Sequence, residues 1–482
     1  MSSFNLNEIK KDNTELNMGE TTLVPFVRLR NTHIAAGSAL LYIIVMGMVY
    51  SYSAPATVDM RLPGSRFRDV TPDEITWIAS LPQITGIVGN CLAGYITHKL
   101  GRQATLVLVS TSYVISWLTI AYAPSITIIY AGRLLSGLCA GVCCVAVPAY
   151  IVEIAPTEIR GLLTSGFQLA FGMGVFIVIT LGAVLRWSWL AISGAVITTC
   201  AACLIVMMPE SPPWLIRESR TNEALNGLKF LKGKNLDVMK EIKEITDNLK
   251  QNESDNISKK DFLDPTFYKP VIITAFLMVF QQVSGVNAIM SYIVEIFETI
   301  GSSVDPQLAS SVVAGIQIAG TVFSGILMDR SGRKLLYMIS GSCLAVSLFI
   351  LGIYSYFSTR NNEHAFDVHS YGWIPLVSLM MYMLSFSLGV GPIPFVMTPE
   401  ISPIRFRSMI IAFGTVVISL SGFIVTKSFD YLRQLLGFYG LFWLYAFFAL
   451  SSAIWGCFFL PETKGLTLNE IHQSFSKSVD QC

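Results

Sequence analysis

The sequence predicts an all-α membrane protein with twelve transmembrane helices, arranged as two pseudo-symmetric halves of six helices each. Apolar runs recur along most of the 482 residues, and a run of about 20 residues crosses a hydrocarbon core of about 30 Å as a helix. The chain is 52% hydrophobic and only 13% charged, whereas soluble globular proteins average about 25% charged residues. Three short polar motifs also occur twice in the same order, which indicates a duplicated half.

The first half follows a polar N-terminal segment, residues 1–30, in which no apolar stretch predicts a cleavable signal peptide. An N-terminal bundle is predicted over residues 31–208, with spans one to six at 34–54, 75–97, 104–124, 127–150, 162–184 and 187–208. A polar loop of 61 residues, 209–269, comes next. Apolar residues recur in this loop at helical spacing and predict short amphipathic helices there: Val238, Met239, Ile242, Ile245 and Leu249.

The second half is predicted over residues 270–460 and precedes a polar tail, 461–482. Spans seven to twelve are predicted at 270–297, 308–328, 335–357, 372–397, 408–428 and 436–460. With twelve spans, both termini and the middle loop share one side of the membrane. That side carries 14 Lys and Arg residues, plus 11 in the middle loop, while the opposite side carries 8, among them Arg133. The positive-inside rule therefore predicts cytoplasmic termini.

The repeated motifs stand at equivalent places in the two halves. Gly101-Arg102 joins spans two and three, and Gly332-Arg333 joins spans eight and nine. Glycine permits the tight turn that such a connection needs. The other two motifs follow the same order: "EIAPTEIRG" (153–161) and "EISPIRFRS" (400–408), then "PES" (209–211) and "PET" (461–463). Parallel repeats around a site near the membrane midplane are one recurring plan of secondary transporters.

The charges in these motifs predict one network of ion pairs from each half at the cytoplasmic end. Its expected members are Arg102, Glu153 and Arg160 in the first half, Asp329, Arg333, Glu400 and Arg407 in the second, with Glu210 and Glu462 as further members. The functional interpretation is an inner gate, which closes when pairs form across the halves and opens when they break. The alternative is that these charges only set the topology.

Polar and aromatic residues inside the spans predict a substrate site. An unpaired amide in a membrane span costs free energy, so it usually serves a cavity or a neighbouring helix. Primary amides donate and accept hydrogen bonds, which suits the hydroxyls of a sugar, whereas the alternative role, helix–helix contact, is worth on the order of 1 kcal/mol. The candidate residues are Gln168, Gln281, Gln282, Asn287 and Gln317, with Phe395 and Tyr292 as aromatic contacts.

The motif "GVGPIPF" (389–395) predicts a broken helix in span ten. Gly389, Gly391, Pro392 and Pro394 all disfavour a continuous helix. Broken backbone at membrane depth is tolerated only beside protein or a water-filled cavity. The motif therefore predicts a hinge that takes part in gating, with a purely packing role as the alternative.

Together these motifs resemble the sugar porter family of the major facilitator superfamily. The residues that carry the resemblance are "GRQ", "DRSGRK", "AGRLLSGLCAG" (131–141), "EIAPTEIRG", "PESPPWLI" (209–216), "QQVSGVNA" (281–288), "GVGPIPF" and "PETKG" (461–465). "IVTKSF" (424–429) is similar to the insect branch of facilitated trehalose and hexose transporters. The resemblance implies the major facilitator fold, transport of a sugar, and sugar-contacting positions at all five amides.

Four positions depart from the family pattern. Gln317 stands where glucose-transporting relatives usually have Asn, and Phe395 stands where they usually have Trp. Ser387 replaces a common acid, and residues 418–422, "ISLSG", replace a common Asn-Trp pair. This smaller lining predicts either room for a disaccharide or weaker sugar binding.

The sequence favours passive transport. Span one contains no ionisable acid or base, whereas proton symporters of this family carry an Asp there. No phosphate-binding loop indicates use of ATP, and the nine cysteines show neither a disulfide nor a zinc spacing. We therefore expect a uniporter of trehalose or a hexose in the plasma membrane, monomeric, with the sugar and the lipid bilayer as partners, no cofactor or metal, and no enzymatic activity. The net charge of +1 argues against nucleic acid as a partner.

Three alternatives remain open. The first is a carrier of another neutral solute such as a polyol, favoured by the changed residues of spans ten and eleven. The second is a proton-coupled sugar symporter. The third is a non-transporting sugar sensor, although sensors of this type tend to carry long cytoplasmic tails and the tail here has 22 residues.

Overall fold

All twelve predicted spans are helical. The computed structural model describes residues 30–232, 239, 241–243, 245–247, 264–360, 371–403 and 405–464. Spans one to six are Arg30–Ser51 continued by Ser53–Arg61, Pro72–Leu100, Arg102–Ala121, Ile126–Ile154, Thr157–Gly182 and Trp187–Val206. Span seven is Pro265–Val283, Val286–Ser291 and Ile293–Ile300. Spans eight to ten are Pro306–Ser331, Arg333–Arg360, and Ile374–Leu388 with Ile393–Ile401.

Spans eleven and twelve form one helical segment, Arg407–Phe459, which bends at Gly437 where φ is 69° and ψ is 172°. In the described part of the chain, ten segments are long and apolar enough to cross a membrane, and Gly166–Gly182 of span five is a shorter apolar helix. Because the bent segment supplies two crossings, these segments account for twelve spans. The predicted all-α membrane fold is therefore confirmed.

Side-chain caps and glycines fix where the spans begin and end. Thr71 caps span two, since its Oγ1 accepts from the Glu74 N–H at 3.3 Å while Glu74 Oε2 accepts from the Thr71 N–H at 2.8 Å. Span two ends at Gly101, with φ of 96°, and span eight ends at Gly332, with φ of 87°. L-residues with a side chain rarely adopt these angles. The two glycines of the repeated Gly-Arg turn thus end spans two and eight with the same backbone conformation.

The two halves meet along two interfaces. Span two packs against span eleven, and span five packs against span eight. Within the halves, spans two and four pack along their lengths, as do span nine and the Arg407–Phe459 segment. The space left between the halves lies between these two interfaces. We call the end of the bundle that carries Gly101-Arg102 and Gly332-Arg333 the Gly-Arg end, and the other the opposite end.

Part of the middle loop packs under the first half at the Gly-Arg end. Helices Pro212–Arg217 and Thr221–Lys232 follow span six. Trp214 donates its indole N–H to the carbonyl of His98 at 2.9 Å, and Asn31 donates to the carbonyl of Phe230 at 2.7 Å. Of the predicted amphipathic residues, Met239, Ile242 and Ile245 are helical, while Val238 and Leu249 lie outside the described residues.

The position of Arg133 corrects the charge count of the sequence analysis. Counted above among the charges of the opposite side, it is completely buried inside the first half. Its Nε donates to the carbonyl of Ile78 at 2.8 Å and its Nη1 to the carbonyl of Val49 at 2.7 Å. Its guanidinium lies 5.6 Å from the ring centre of Tyr52, a distance at which a cation is attracted to an aromatic face. Removing Arg133 from the count strengthens the predicted charge asymmetry.

Replacing Gly89 by Ala is expected to destabilise the protein, because the new Cβ would lie 2.2 Å from the carbonyl oxygen of Leu138. Overpacking of this kind costs about 1–3 kcal/mol, so the midpoint of thermal unfolding in detergent should fall. Gly94→Ala in the same helix is the matched control, since a Cβ there meets no atom within 4 Å. Equal melting of the two variants would contradict the close packing of spans two and four.

Candidate functional site

A cavity of about 1040 Å³ lies between the two halves. Six of the seven predicted substrate residues line it: Gln168, Gln281, Gln282, Asn287, Gln317 and Phe395. The structure therefore brings amides from spans five, seven and eight into one space, while their contact with a sugar stays a prediction.

A break in span seven aligns two of these amides. Gly285 has a left-handed backbone with φ of 88° and separates Pro265–Val283 from Val286–Ser291. A Cβ at this position would lie 2.4 Å from the Tyr445 ring, so the close approach also requires glycine. Residues five apart do not share a face of a continuous helix. Because of the break, Asn287 Nδ2 donates to Gln282 Oε1 at 2.6 Å, and the two amides act as one polar group.

The break in span ten is stabilised by neighbouring spans. The helix stops at Leu388 and resumes at Ile393. Gln281 Nε2 donates to the carbonyl of Gly391 at 2.6 Å and to that of Val390 at 3.3 Å. Ser340 Oγ accepts from the Val390 N–H at 2.9 Å. These bonds satisfy backbone groups that the break releases, as a break at membrane depth requires.

The glycines and prolines of span ten lie at this break. Gly389 and Gly391 fall between the two helical pieces, Pro392 immediately precedes the second piece, and Pro394 lies in its first turn. A Cβ at Gly389 would lie 2.5 Å from Ser340 Cβ. Glycine is therefore required here by close approach to span nine, and the hinge role remains a prediction.

Tyr292 does not line the cavity. It stacks on Phe429 with ring centres 4.3 Å apart and an interplanar angle of 5°. The pair lines a second, smaller pocket of about 180 Å³ toward the opposite end, together with Glu295 and Arg433. Phe429 covers one face of the Tyr292 ring, so that face is not available for stacking against a sugar.

Two cavity amides escaped the sequence analysis. Gln83 and Asn90 of span two both line the cavity, and both are at least nine-tenths buried. The criterion that selected the other five, an amide inside a predicted span, applies equally to these two. They form a further polar surface on the side of the cavity where spans two and eleven meet.

At the Gly-Arg end, both halves build the same ion pair. Arg102 Nη2 lies 2.7 Å from Glu153 Oε1, and Arg333 Nη2 lies 3.2 Å from Glu400 Oε1. The second oxygen of each glutamate accepts a hydroxyl, from Ser211 in the first half and from Thr463, at 2.6 Å, in the second.

The remaining predicted glutamates cap the helices that follow the Gly-Arg turns. Glu210 accepts the backbone N–H of Arg102 at 2.8 Å, and Glu462 accepts that of Arg333 at 3.0 Å. A carboxylate at a helix N-terminus satisfies unpaired N–H groups and the positive end of the helix dipole. The "PES" and "PET" motifs thus hold spans three and nine in the same way.

Arg407 stands apart from these pairs. Its Nε and Nη2 are buried and have no hydrogen-bond partner among the described residues. The side chains of Arg160 and Asp329 lie outside the described residues. Within the described part of the chain, the ion pairs of the predicted gate residues therefore form inside each half, and none of them joins the halves.

Ion pairs between the halves lie at the opposite end. Lys427 Nζ of span eleven lies 2.5 Å from Asp73 Oδ1 of span two and 4.2 Å from the ring centre of Trp77. Arg61 Nη1 lies 3.4 Å from Glu295 Oε1. These contacts hold the two halves together at that end of the cavity.

Replacing Gln281 by Leu removes the donor for the carbonyls of Val390 and Gly391, so the free energy of unfolding should fall by about 1–3 kcal/mol. Gln168→Leu is the matched control, because the half-buried Gln168 amide makes no hydrogen bond to a described protein group. Thermal unfolding of both variants in detergent measures the difference. If Gln281→Leu melts no lower than Gln168→Leu, its amide does not stabilise the break.

The sequence resembles known proteins along nearly its whole length. The profile of the family described as "Sugar (and other) transporter" matches residues 32–475. The facilitated trehalose transporter Tret1 of Bombyx mori is 35% identical over 435 residues, which cover 89% of this chain and 84% of that protein. Tret1 of Apis mellifera ligustica is 33% identical over 450 residues, which cover 92% and 88% respectively.

The structure resembles the xylose transporter XylE from E. coli. Its partially occluded inward-open conformation matches with a TM-score of 0.73 and 21% identity, over 89% of this chain and all of that chain. The inward-open conformation matches with a TM-score of 0.72 and 24% identity, over 92% and 98%. At this level of identity the likeness shows the fold, which is that of the major facilitator superfamily.

Proposed function

Because this chain belongs to the sugar transporter family, we propose that it is a facilitative carrier of trehalose or a hexose that works by alternating access in the plasma membrane. As a family member it is a multi-pass membrane transporter and not an enzyme. Insect relatives at 33–35% identity are facilitated trehalose transporters, which favours trehalose over a hexose.

The observation that carries this proposal is the chemistry of the central cavity. Seven amides from both halves line it, and among the described residues none that lines it is Asp, Glu, Lys, Arg or His. A charged solute would find no counter-ion there, so its desolvation would be unfavourable. A neutral solute with many hydroxyls would instead find donors and acceptors, with Phe395 and Phe386 supplying apolar surface.

The ion pairs support an alternating-access cycle. We assign the Gly-Arg end to the cytoplasm, since the predicted charge asymmetry favours this orientation. Lys427–Asp73 and Arg61–Glu295 then close the outer side. The two bundles, 31–208 and 270–460, move relative to each other, and the loop 209–269 connects them. The break in span ten is the hinge. The terminal segments, 1–30 and 461–482, lie in the cytoplasm.

Among the described residues, the substrate site lacks a carboxylate that could bind a proton, which supports uniport. Arg30–Ser51 contains no Asp or Glu, and in the part of the chain that the structure describes no carboxylate lines the cavity. A proton symporter needs a group that binds a proton in step with the substrate. A monomer suffices for this cycle, because both interfaces of the cavity belong to one chain.

Counterflow in proteoliposomes tests the function. We expect the wild type to exchange labelled trehalose, and Gln282→Ala to lose at least about tenfold in rate, as for loss of a buried hydrogen bond worth about 1.4 kcal/mol. Ser112→Ala is the control, since this half-buried hydroxyl of span three donates to Leu108 of its own helix and Ser112 does not line the cavity. If only glucose shows counterflow, the facilitative mechanism stands and the substrate is a hexose. No counterflow of either sugar by folded protein would contradict the proposal.

A proton gradient tests uniport. Liposomes loaded at higher pH than the medium are expected to take up trehalose only until the inside and outside concentrations are equal, since neither Arg30–Ser51 nor the described lining of the cavity offers a carboxylate. XylE, whose structure is that of a proton:xylose symporter, is the positive control with xylose. Accumulation of trehalose above the outside concentration would show coupling and exclude uniport.

A further inference from the structure

The polar groups of the cavity divide between the two interfaces of the halves. Gln168 and Gln317 lie where spans five and eight meet, and Gln83 and Asn90 lie where spans two and eleven meet. The Gln282–Asn287 pair lies between them, because a Cβ at Gly422 of span eleven would be within 3.2 Å of Gln282 Oε1, Asn287 Nδ2 and Gln83 Oε1. The cavity thus has one polar surface at the interface of spans five and eight, a second at the interface of spans two and eleven, and the Gln282–Asn287 pair between them.

The span-two end has unused hydrogen-bonding capacity. Gln83 is 3% exposed and donates to Thr426 Oγ1 at 3.1 Å, but its Oε1 has no partner among the described residues. Asn90 is 9% exposed and donates to Ser419 Oγ at 3.4 Å, and its Oδ1 likewise has no described partner. Leaving a buried acceptor without a donor is unfavourable. A hydroxyl group is a donor of the kind that these two acceptors lack.

A small residue of span eleven lines this surface. Ser419 presents to the cavity only a hydroxyl, which accepts from Asn90 Nδ2 at 3.4 Å and donates to the carbonyl of Thr415 at 2.9 Å. Gln83 and Asn90 are seven residues apart and therefore share one face of span two. An aromatic side chain at position 419 would occupy the space between span eleven and Asn90.

From this geometry, and resting on the proposed function, we infer that Gln83, Asn90 and Ser419 form a second sugar-ring subsite, which selects a disaccharide over a monosaccharide. One ring binds between Gln168, Gln317 and the Gln282–Asn287 pair, and the other binds against span two. A monosaccharide fills only the first subsite and leaves the acceptors of Gln83 and Asn90 unpaired.

The test is counterflow of trehalose and glucose by the full-length protein in proteoliposomes, with Gln83→Met, Asn90→Leu and Ser419→Phe. We expect each variant to lower the ratio of trehalose to glucose transport at least about tenfold, because each removes or fills part of the second subsite. Gln168→Ala is the matched control and should lower transport of both sugars. Parallel loss of both sugars in the three variants, or no loss in any of them, would overturn the inference.

Thr426→Val separates a binding role from helix packing. It removes the Gln83–Thr426 hydrogen bond but leaves the Gln83 acceptor in place. If Gln83 serves only to join the helices, Thr426→Val and Gln83→Met should change the transport ratio equally, which would contradict the subsite. Ser419→Phe retains the test if Gln83→Met fails to fold.

Wild-type behaviour distinguishes this inference from the proposed function. Glucose transport without trehalose transport would refute the second subsite and leave the proposed carrier function intact. If the wild type carries neither sugar, the proposed function fails. Thermal stabilisation of purified protein by trehalose and by glucose then decides the subsite: trehalose must stabilise the wild type more than glucose does, and Ser419→Phe must abolish the difference.

Discussion

The hydrogen bonds that Gln281 donates to the carbonyls of Val390 and Gly391 make the central cavity compatible with a membrane. Inside a bilayer, backbone groups that leave a helix need partners from the protein. Spans seven and ten both break beside the cavity. Gln281, which stabilises the break in span ten, directly precedes the cavity residue Gln282 in span seven. The shape of the cavity and the hydrogen bonding of the span-ten backbone therefore depend on the same short segment.

The internal repeat uses the same polar chemistry at both Gly-Arg turns. In each half a positive-φ glycine ends one helix, a glutamate caps the next, and an arginine pairs with a second glutamate. The pairs are partly buried, so solvent screens them less than exposed pairs. This shared construction joins neighbouring spans within each half at the Gly-Arg end, whereas the ion pairs between the halves lie at the opposite end.

Much of the fold was predictable because a long apolar run specifies a span almost without reference to its neighbours. The cavity was only partly predictable. Gln168, Gln282 and Gln317 were found by polarity, and resemblance implied their role. Which face of span two meets the cavity depends on packing, so Gln83 and Asn90 were missed. Tyr292, predicted as an aromatic contact of the sugar, lies outside the central cavity, because its direction follows from the breaks in span seven, whose geometry the sequence pattern does not give.

Arg133 has a consequence for how the protein is made. A charged residue at the centre of a span enters the bilayer at a cost of about 2.5–3.5 kcal/mol on insertion scales, and Arg133 lies within the first third of span four. The acceptors that compensate Arg133 are carbonyls of Val49 in span one and Ile78 in span two, which leave the ribosome before span four does. The spans that are synthesised first therefore hold the acceptors that span four needs, so the order of translation matches the order in which the buried hydrogen bonds of Arg133 can form.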